Sequence, residues 1–417
     1  MLSVYEGFFS GGARILHSDV VRGLAEGGQS HQVLGIHSEV HREATRQRME
    51  DDHCYRALTA DGVPVTSLGR SAGLVEGAVA ANVFSGPELA ETARSMAGAD
   101  VILSLKEQPL ALLNQRGLPR RPVVVCLHRS DPENQGPALD ALKTAIADGT
   151  VAACVCCAES TRAAYEAAGV PRELLHVIPN GVDLLRFRPD PVARRAVRAA
   201  LGIADPDPVI VFAARYAPMK NVPLLLRAAR AWLSRESGGH VLMCGAGMTP
   251  GNSALRADLE VAFAGEPGLA DRVRPLGVRH DMEALYAAAD VVALTSGSGE
   301  AAPLCLIEGM MCGAVPVTTD VGDSAEIVAG HGFVTPSDPG AIASAWSAAV
   351  AGRAELAPAL RRSRERFSRT RMIAAYATLL DGVHTSHLAR TDAYGGQGAL
   401  WSIRLPDERA MGEGSPR

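Results

Sequence analysis

The sequence predicts an α/β protein of two doubly wound domains facing each other across a deep cleft. Three observations predict it. Short, continuously apolar runs alternate with longer Ala/Leu-rich stretches, the pattern of strands buried on both faces and linked by crossover helices. The alternation breaks at PNGVDLLRFRPDP, residues 179–191, and then starts again. The chain has 417 residues, enough for two or three domains at about 150 residues each.

The elements read off in order. LSVYEGF opens the chain as a strand, HSDVVRGLAEG follows as a helix and HQVLGIH as the next strand. ADVILSLK, PVVVCLH and VAACVCC continue the buried strands, with SMAG and STRAAYEAAG in helices around them. After the break, VIVFAAR is a strand, VPLLLRAARAWLSR a helix and HVLMCGAG a strand. MEALYAAAD then leads as a helix into the strand VVALTS, PLCLIEGMMCG is a helix and VPVTTD a strand. This gives two Rossmann-like domains, 1–185 and 186–380, with the boundary in 184–206 where proline and charge thicken. Residues 381–417, Gly-rich and polar beyond 389, are expected to form a tail that is poorly ordered or crosses back, with Trp401 a candidate docking point.

Composition excludes several classes. Hydrophobic residues make up 47% and charged residues 21%, so the chain is not a disordered one. The net charge of −5 carries no basic field for nucleic acid. No apolar run of about 18 residues spans a membrane, and no basic-then-apolar leader stands at the start; the expected location is cytoplasmic. Eight cysteines therefore read as reduced thiols, and Cys154, Cys156 and Cys157 as core residues of a strand, since no second Cys/His pair at zinc spacing lies nearby. No metal site is expected.

In open parallel sheets the ligand sits beyond the carboxyl ends of the strands. Ser10-Gly11-Gly12 follow the first strand; they either let a phosphate approach the backbone or form a tight strand-to-helix turn. The spacing is not G-x-G-x-x-G, so NAD binding is not supported. Arg215 ends a strand and Lys220 follows five residues later. An arginine fork and a lysine point charge together suit a pyrophosphate. Only Lys106, Lys143 and Lys220 are lysine among 41 basic residues, so a lysine at 220 is not a neutral choice. SGSGEAAPLCLIEG places a glycine-loosened loop before a helix, with Pro303 expected in its first turn. Unpaired N–H groups and the positive dipole end there favour a phosphate, with Glu300 before the helix start and Glu308 within it. His128 closes PVVVCLH and faces either the cleft or a loop.

These segments resemble the retaining glycosyltransferases of family 4, of GT-B architecture. The resemblance runs over roughly residues 1–380 and rests on SGG and GGQSHQV near the start, HVIPNGVDLLRFRP, Arg215 with Lys220, GAG at 245–247, LYAAADVVALTS, Glu300 with Glu308, and GAVPVTTDVGDSAEIV. It implies that Arg215 and Lys220 hold the diphosphate of a nucleotide sugar and that Gly12 admits a phosphate. Glu300 would bind hydroxyls of the donor sugar, Glu308 the ribose, and His128 would point at the transferred sugar. Gly245, Val278 and Arg279 would border the base, and the backbone at Ala302, Pro303 and Leu304 would contact sugar and phosphates. Gly309, Ala301-Ala302 and Gly322-Asp323 depart from the family's usual alanine, Gly-aromatic pair and double glycine, and bear on donor-sugar identity.

The implied activity is metal-independent, front-face transfer from a nucleoside diphosphate sugar, UDP or GDP, with no resident cofactor. An epimerase of the same architecture, a phosphorylase or a non-catalytic nucleotide-binding relative are the alternatives. Residues 1–185 hold 16 basic against 22 acidic residues, which disfavours docking on anionic lipid. The acceptor is therefore expected to be a small soluble polyol, cyclitol or natural-product intermediate, with an oxygen or sulfur nucleophile. Lys106, Glu107 and Arg129–Asp131 are its candidate contacts, or solvated loop charge. Oligomeric state, a homodimer included, stays open.

Overall fold

Each apolar run expected as a strand is one in the computed structural model, which describes residues 1–9, 11–42, 45–73 and 83–394. In the first domain these are β1 (Leu2–Gly7), β2 (Gln32–Arg42), β3 (Thr45–Arg48), β4 (Val65–Ala72), β5 (Ile102–Leu105), β6 (Val123–Leu127), β7 (Val151–Cys156) and β8 (Leu175–Val177). Their order is β3-β2-β1-β5-β6-β7-β8, with β4 also on β2; all pairs are parallel except β2–β3. The second domain holds β9 (Val209–Ala213), β10 (His240–Cys244), β11 (Val273–Gly277), β12 (Val291–Leu294), β13 (Val315–Thr319) and β14 (Phe333–Thr335), ordered β11-β10-β9-β12-β13-β14. The central strands β5, β6, β9, β10 and β12 are buried almost throughout, as helices on both faces require.

All eight cysteines are free thiols. Cys154 and Cys156 lie in β7, and burial pushes Cys154 up to about 12, so they are core residues. Among the described residues no helix is long and apolar enough to cross a membrane.

Within the boundary stretch, Asp190 accepts from the N–H groups of Val192 and Ala193 and starts a helix, Pro191–Ala200, that belongs to the second domain. Residues 369–380, read with the second domain, instead begin a helix, Arg369–Tyr394, that returns to the first. Met372, Tyr376 and Leu380 repeat every four residues, so they lie on one face. That face is buried against Leu16, Val20, Leu103, Val124 and Val155. The 381–394 part of the supposed tail continues this helix, and 395–417, with Trp401, lies outside the described residues. The two crossings between domains run side by side, Val182 N–H donating to Phe367 O (2.8 Å) and Arg369 N–H to Val182 O (3.0 Å).

Candidate active site

A cleft of about 600 Å³ opens between the carboxyl ends of the two sheets. All twelve candidate residues line it: Gly12, His128, Arg215, Lys220, Gly245, Val278, Arg279, Glu300, Ala302, Pro303, Leu304 and Glu308. The local chain explains why. The helix Gly12–Glu26 begins at the mouth of β1, and the helix Leu304–Met311 begins after β12. These two N-termini face each other: Leu304 Cδ1 lies 3.5 Å from where a Cβ on Gly12 would stand. Their unpaired N–H groups and positive dipole ends converge on one region. Pro303 is the residue that caps the second of these helices, just ahead of its first turn rather than in it, with φ −66° and ψ 115°.

The basic pair is held by backbone. Ala214 N–H donates to Cys244 O (2.9 Å) and Tyr216 N–H to Ala246 O (2.8 Å), which fixes Arg215 between them. Gly245 permits that approach: at φ +133°, a Cβ there would meet Ala214 O at 2.1 Å. Thr295 Oγ1 donates to Lys220 O (3.0 Å), and Asn221 starts the following helix in a left-handed conformation, its side chain accepting from Leu224 N–H. Lys220 Nζ donates to Glu300 Oε1, an ion pair the sequence did not foretell. Ser296 Oγ donates to the same oxygen (2.5 Å).

His128 is half-buried beside Lys106. Desolvation and that ammonium bring its imidazole down to about 3, so the ring is neutral at any physiological pH. Its Nε2 has no hydrogen-bond partner among the described residues. Burial pushes the Glu308 carboxyl up to about 7, against a hydrogen bond from Tyr286.

The acceptor-side candidates separate. Lys106 and Arg129 line the cleft. Glu107 does not: it is buried, receives the Tyr165 hydroxyl and is pushed up to about 7 by desolvation. Asp131 is buried too and grips Arg129 through both carboxylate oxygens, each at 2.6 Å. Ser130 Oγ reaches across to donate to Glu300 O.

Sequence reasoning missed several groups. Arg14, Arg46 and Arg48 join Lys106 and Arg129 in the cleft, beside Asp51 and Asp52, so basic side chains outnumber acidic ones on the first-domain wall although the domain's count is acidic. Arg14 pairs with Asp52, Arg46 with Glu39 and Arg48 with Glu50. Net charge could not show this, because it does not say which residues share a wall. Asn180 Nδ2 donates to Ala302 O (2.8 Å) and fixes the loop before the second helix start; its only signal was its place in the crossing segment.

Two doubly wound domains with a cleft between facing sheet ends form the GT-B fold. Solved structures agree at the level of fold: the Anabaena protein Alr3699/HepE in complex with UDP-glucose superposes with a TM-score of 0.74 at 22% identity, covering 91% of this chain and 99% of that one. Sucrose-phosphate synthase from Thermosynechococcus elongatus gives 0.68 at 18%, covering 92% and 99%. A family model described as Glycosyltransferase Family 4 matches residues 10–186, and one described as Glycosyl transferases group 1 matches residues 207–351. The chain belongs to this glycosyltransferase family. Curated relatives include a D-inositol 3-phosphate glycosyltransferase of Nocardia farcinica, 35% identical over 40% of this chain and 36% of its own length. One of that name from Saccharomonospora viridis is 36% identical over 38% and 36%. The match thus spans little more than a third of these relatives' length.

Proposed function

We propose that the protein is a retaining glycosyltransferase that moves a sugar from a nucleoside diphosphate sugar to a small cyclitol- or polyol-type acceptor carrying an anionic group. The observation that carries this is that Arg215, Lys220 and two neighbouring helix N-termini line the same cleft. Departure of a nucleoside diphosphate builds negative charge on phosphate oxygens, and preorganised cations and dipole ends lower the energy of that charge. The acceptor hydroxyl forms the new bond to the anomeric carbon on the face from which the diphosphate departs. The electron pair of the broken C–O bond passes to the diphosphate, and the hydroxyl proton passes to a leaving phosphate oxygen. Glu300 and the neutral His128 hold hydroxyls of the transferred sugar, and Glu308 those of the ribose. Uridine diphosphate is the first nucleotide to try, following the Anabaena protein's complex with UDP-glucose, with guanosine diphosphate next.

The anionic acceptor rests on the excess of Arg14, Arg46, Arg48, Lys106 and Arg129 over Asp51 and Asp52 on that wall, and the relatives named for inositol 3-phosphate fit it. The test is turnover of UDP-, GDP-, ADP- and TDP-sugars with inositol and inositol phosphate, with the product's anomeric configuration read by NMR. Retention is expected, and inversion overturns the mechanism. A donor isomerised without acceptor would make the protein an epimerase. The phosphorylated acceptor is expected to be preferred about tenfold or more, the worth of one hydrogen bond to a charged group. Equal rates with the neutral cyclitol would remove the anionic part.

Glu308 gives a pH signature. Only its carboxylate accepts hydrogen bonds from both ribose hydroxyls, and it protonates as pH falls through about 7. Calorimetric affinity for UDP is therefore expected to weaken from pH 8 to pH 6, and Glu308→Gln to bind weakly with a flat profile. The same upward shift makes Glu308 lower the stability of the fold progressively as pH rises from 4.5 to about 7. An unchanged slope in the variant would take Glu308 off the ribose.

A further inference from the structure

The helix Glu159–Ala167 lies in the first domain, and its own capping residue, Ala158, offers no side-chain acceptor. The acceptor comes from the other domain. Asp323 Oδ2 accepts from Glu159 N–H (2.8 Å) and Oδ1 from Ser160 N–H (2.9 Å). Asp323 stands at the start of its own short helix, Ser324–Val328, and makes no side-chain cap there. Its carboxylate reaches the first domain instead. Carboxylate-to-N–H bonds at a helix start are charge-assisted and aligned with the dipole.

Asp323 is also tied to the donor loop. Its N–H donates to Ala301 O (2.8 Å). Gly322, at φ +62°, lies so close that a Cβ would stand 2.4 Å from Glu300 O. Ala301 in turn packs with Cys157 and Ala158 in a small apolar cluster at the interdomain contact. One continuous chain of contacts therefore runs from the first domain's helix start through Asp323 and Ala301 to Glu300.

We propose that Asp323 is an interdomain latch, a positioning residue that holds the closed cleft and sets the Glu300 loop against the first domain. This goes with, and rests for its kinetic arm on, the glycosyltransferase reading above; its structural arm does not. Breaking the latch lowers the closed fraction of the free protein. Apparent affinity for the donor falls by that fraction, while saturating substrate draws the domains together again. Asp323→Ala is expected to enlarge the radius of gyration of the full chain in solution scattering, and to raise KM for the donor about tenfold with kcat changed much less. Asp323→Asn, which keeps one acceptor oxygen, falls between.

Loss of a helix cap could by itself loosen the helix Glu159–Ala167. The double variant Ala158→Ser, Asp323→Ala returns a local cap to that helix without joining the domains. It is expected to recover thermal stability and to stay expanded with the high KM. Recovery of compactness and KM in the double variant, or an unchanged radius of gyration in Asp323→Ala, overturns the latch. If no nucleotide sugar is turned over at all, the transfer reading fails while the scattering result still decides the latch.

Discussion

Replacing Lys220 with alanine is expected to lower turnover by about 10²–10³ while leaving the fold intact, the loss typical of removing one preorganised charge donor from a developing anion. Lys220 sits in a short turn whose backbone is held by Thr295, not by its own side chain. Its partner Glu300 keeps the Ser296 hydroxyl when the ammonium is gone. The same donor and acceptor should be used for both proteins, with far-UV circular dichroism and a urea titration alongside. Calorimetry with UDP should show weakened binding as well, because the lysine meets ground-state phosphate too. Turnover at the wild-type rate would detach the basic pair from the leaving group.

That residue was readable from the sequence, and the reason is general to open parallel sheets. Buried central strands show as continuous apolar runs, and the residues that follow their carboxyl ends must face the ligand side. Arg215, Lys220, His128, Gly245 and the residues 299–305 with Glu308 all follow such runs, and all line the cleft. Strands at the margins carried no such mark. Three of the four residues of β3, TRQR, have side chains that reach solvent or the cleft, and β4 alternates half-buried with exposed positions through Ser, Gly and Arg. Arg14, Arg46 and Arg48 on the cleft wall and the cross-domain bonds of Asp323 were equally silent, because their meaning comes from elements far apart in sequence being brought together. The returning helix was legible in principle, since Met372, Tyr376 and Leu380 recur at every fourth position, but the Gly-rich stretch beyond it drew the reading toward a tail.

A second large effect is expected at Asp290, and on stability alone. Its Oδ1 accepts from Arg194 (2.8 Å) and Arg353 (3.1 Å), and its Oδ2 from Arg198 (2.8 Å) and the backbone N–H of Val209 (2.9 Å). Burial pulls the Arg198 and Arg353 guanidiniums below the usual arginine range, and the Asp290 carboxylate opposes that shift in both. Asp290→Ala thus strands three cations and one N–H group. Breaking a buried pair from one side costs about 3–5 kcal/mol, whereas Asp290→Asn, which keeps an acceptor, should cost less. Asp290 precedes β12, at the amino end of the sheet and away from the cleft. Chemical denaturation should show the loss in the second domain's transition, and kinetics of the still-folded fraction should match the parent. A drop below about 1 kcal/mol would mean that the arginines are held by the carbonyls they already touch, Arg194 and Arg198 by those of residues 204, 205, 207 and 287–289 and Arg353 by that of Gly313.

The returning helix Arg369–Tyr394 has a consequence for how the polypeptide reaches its native form. A nascent chain emerging from the ribosome exposes Leu16, Leu103, Val124 and Val155 long before Met372, Tyr376 and Leu380 exist to cover them. The amino-terminal half must wait, with this apolar patch uncovered, until the whole second domain has been synthesised.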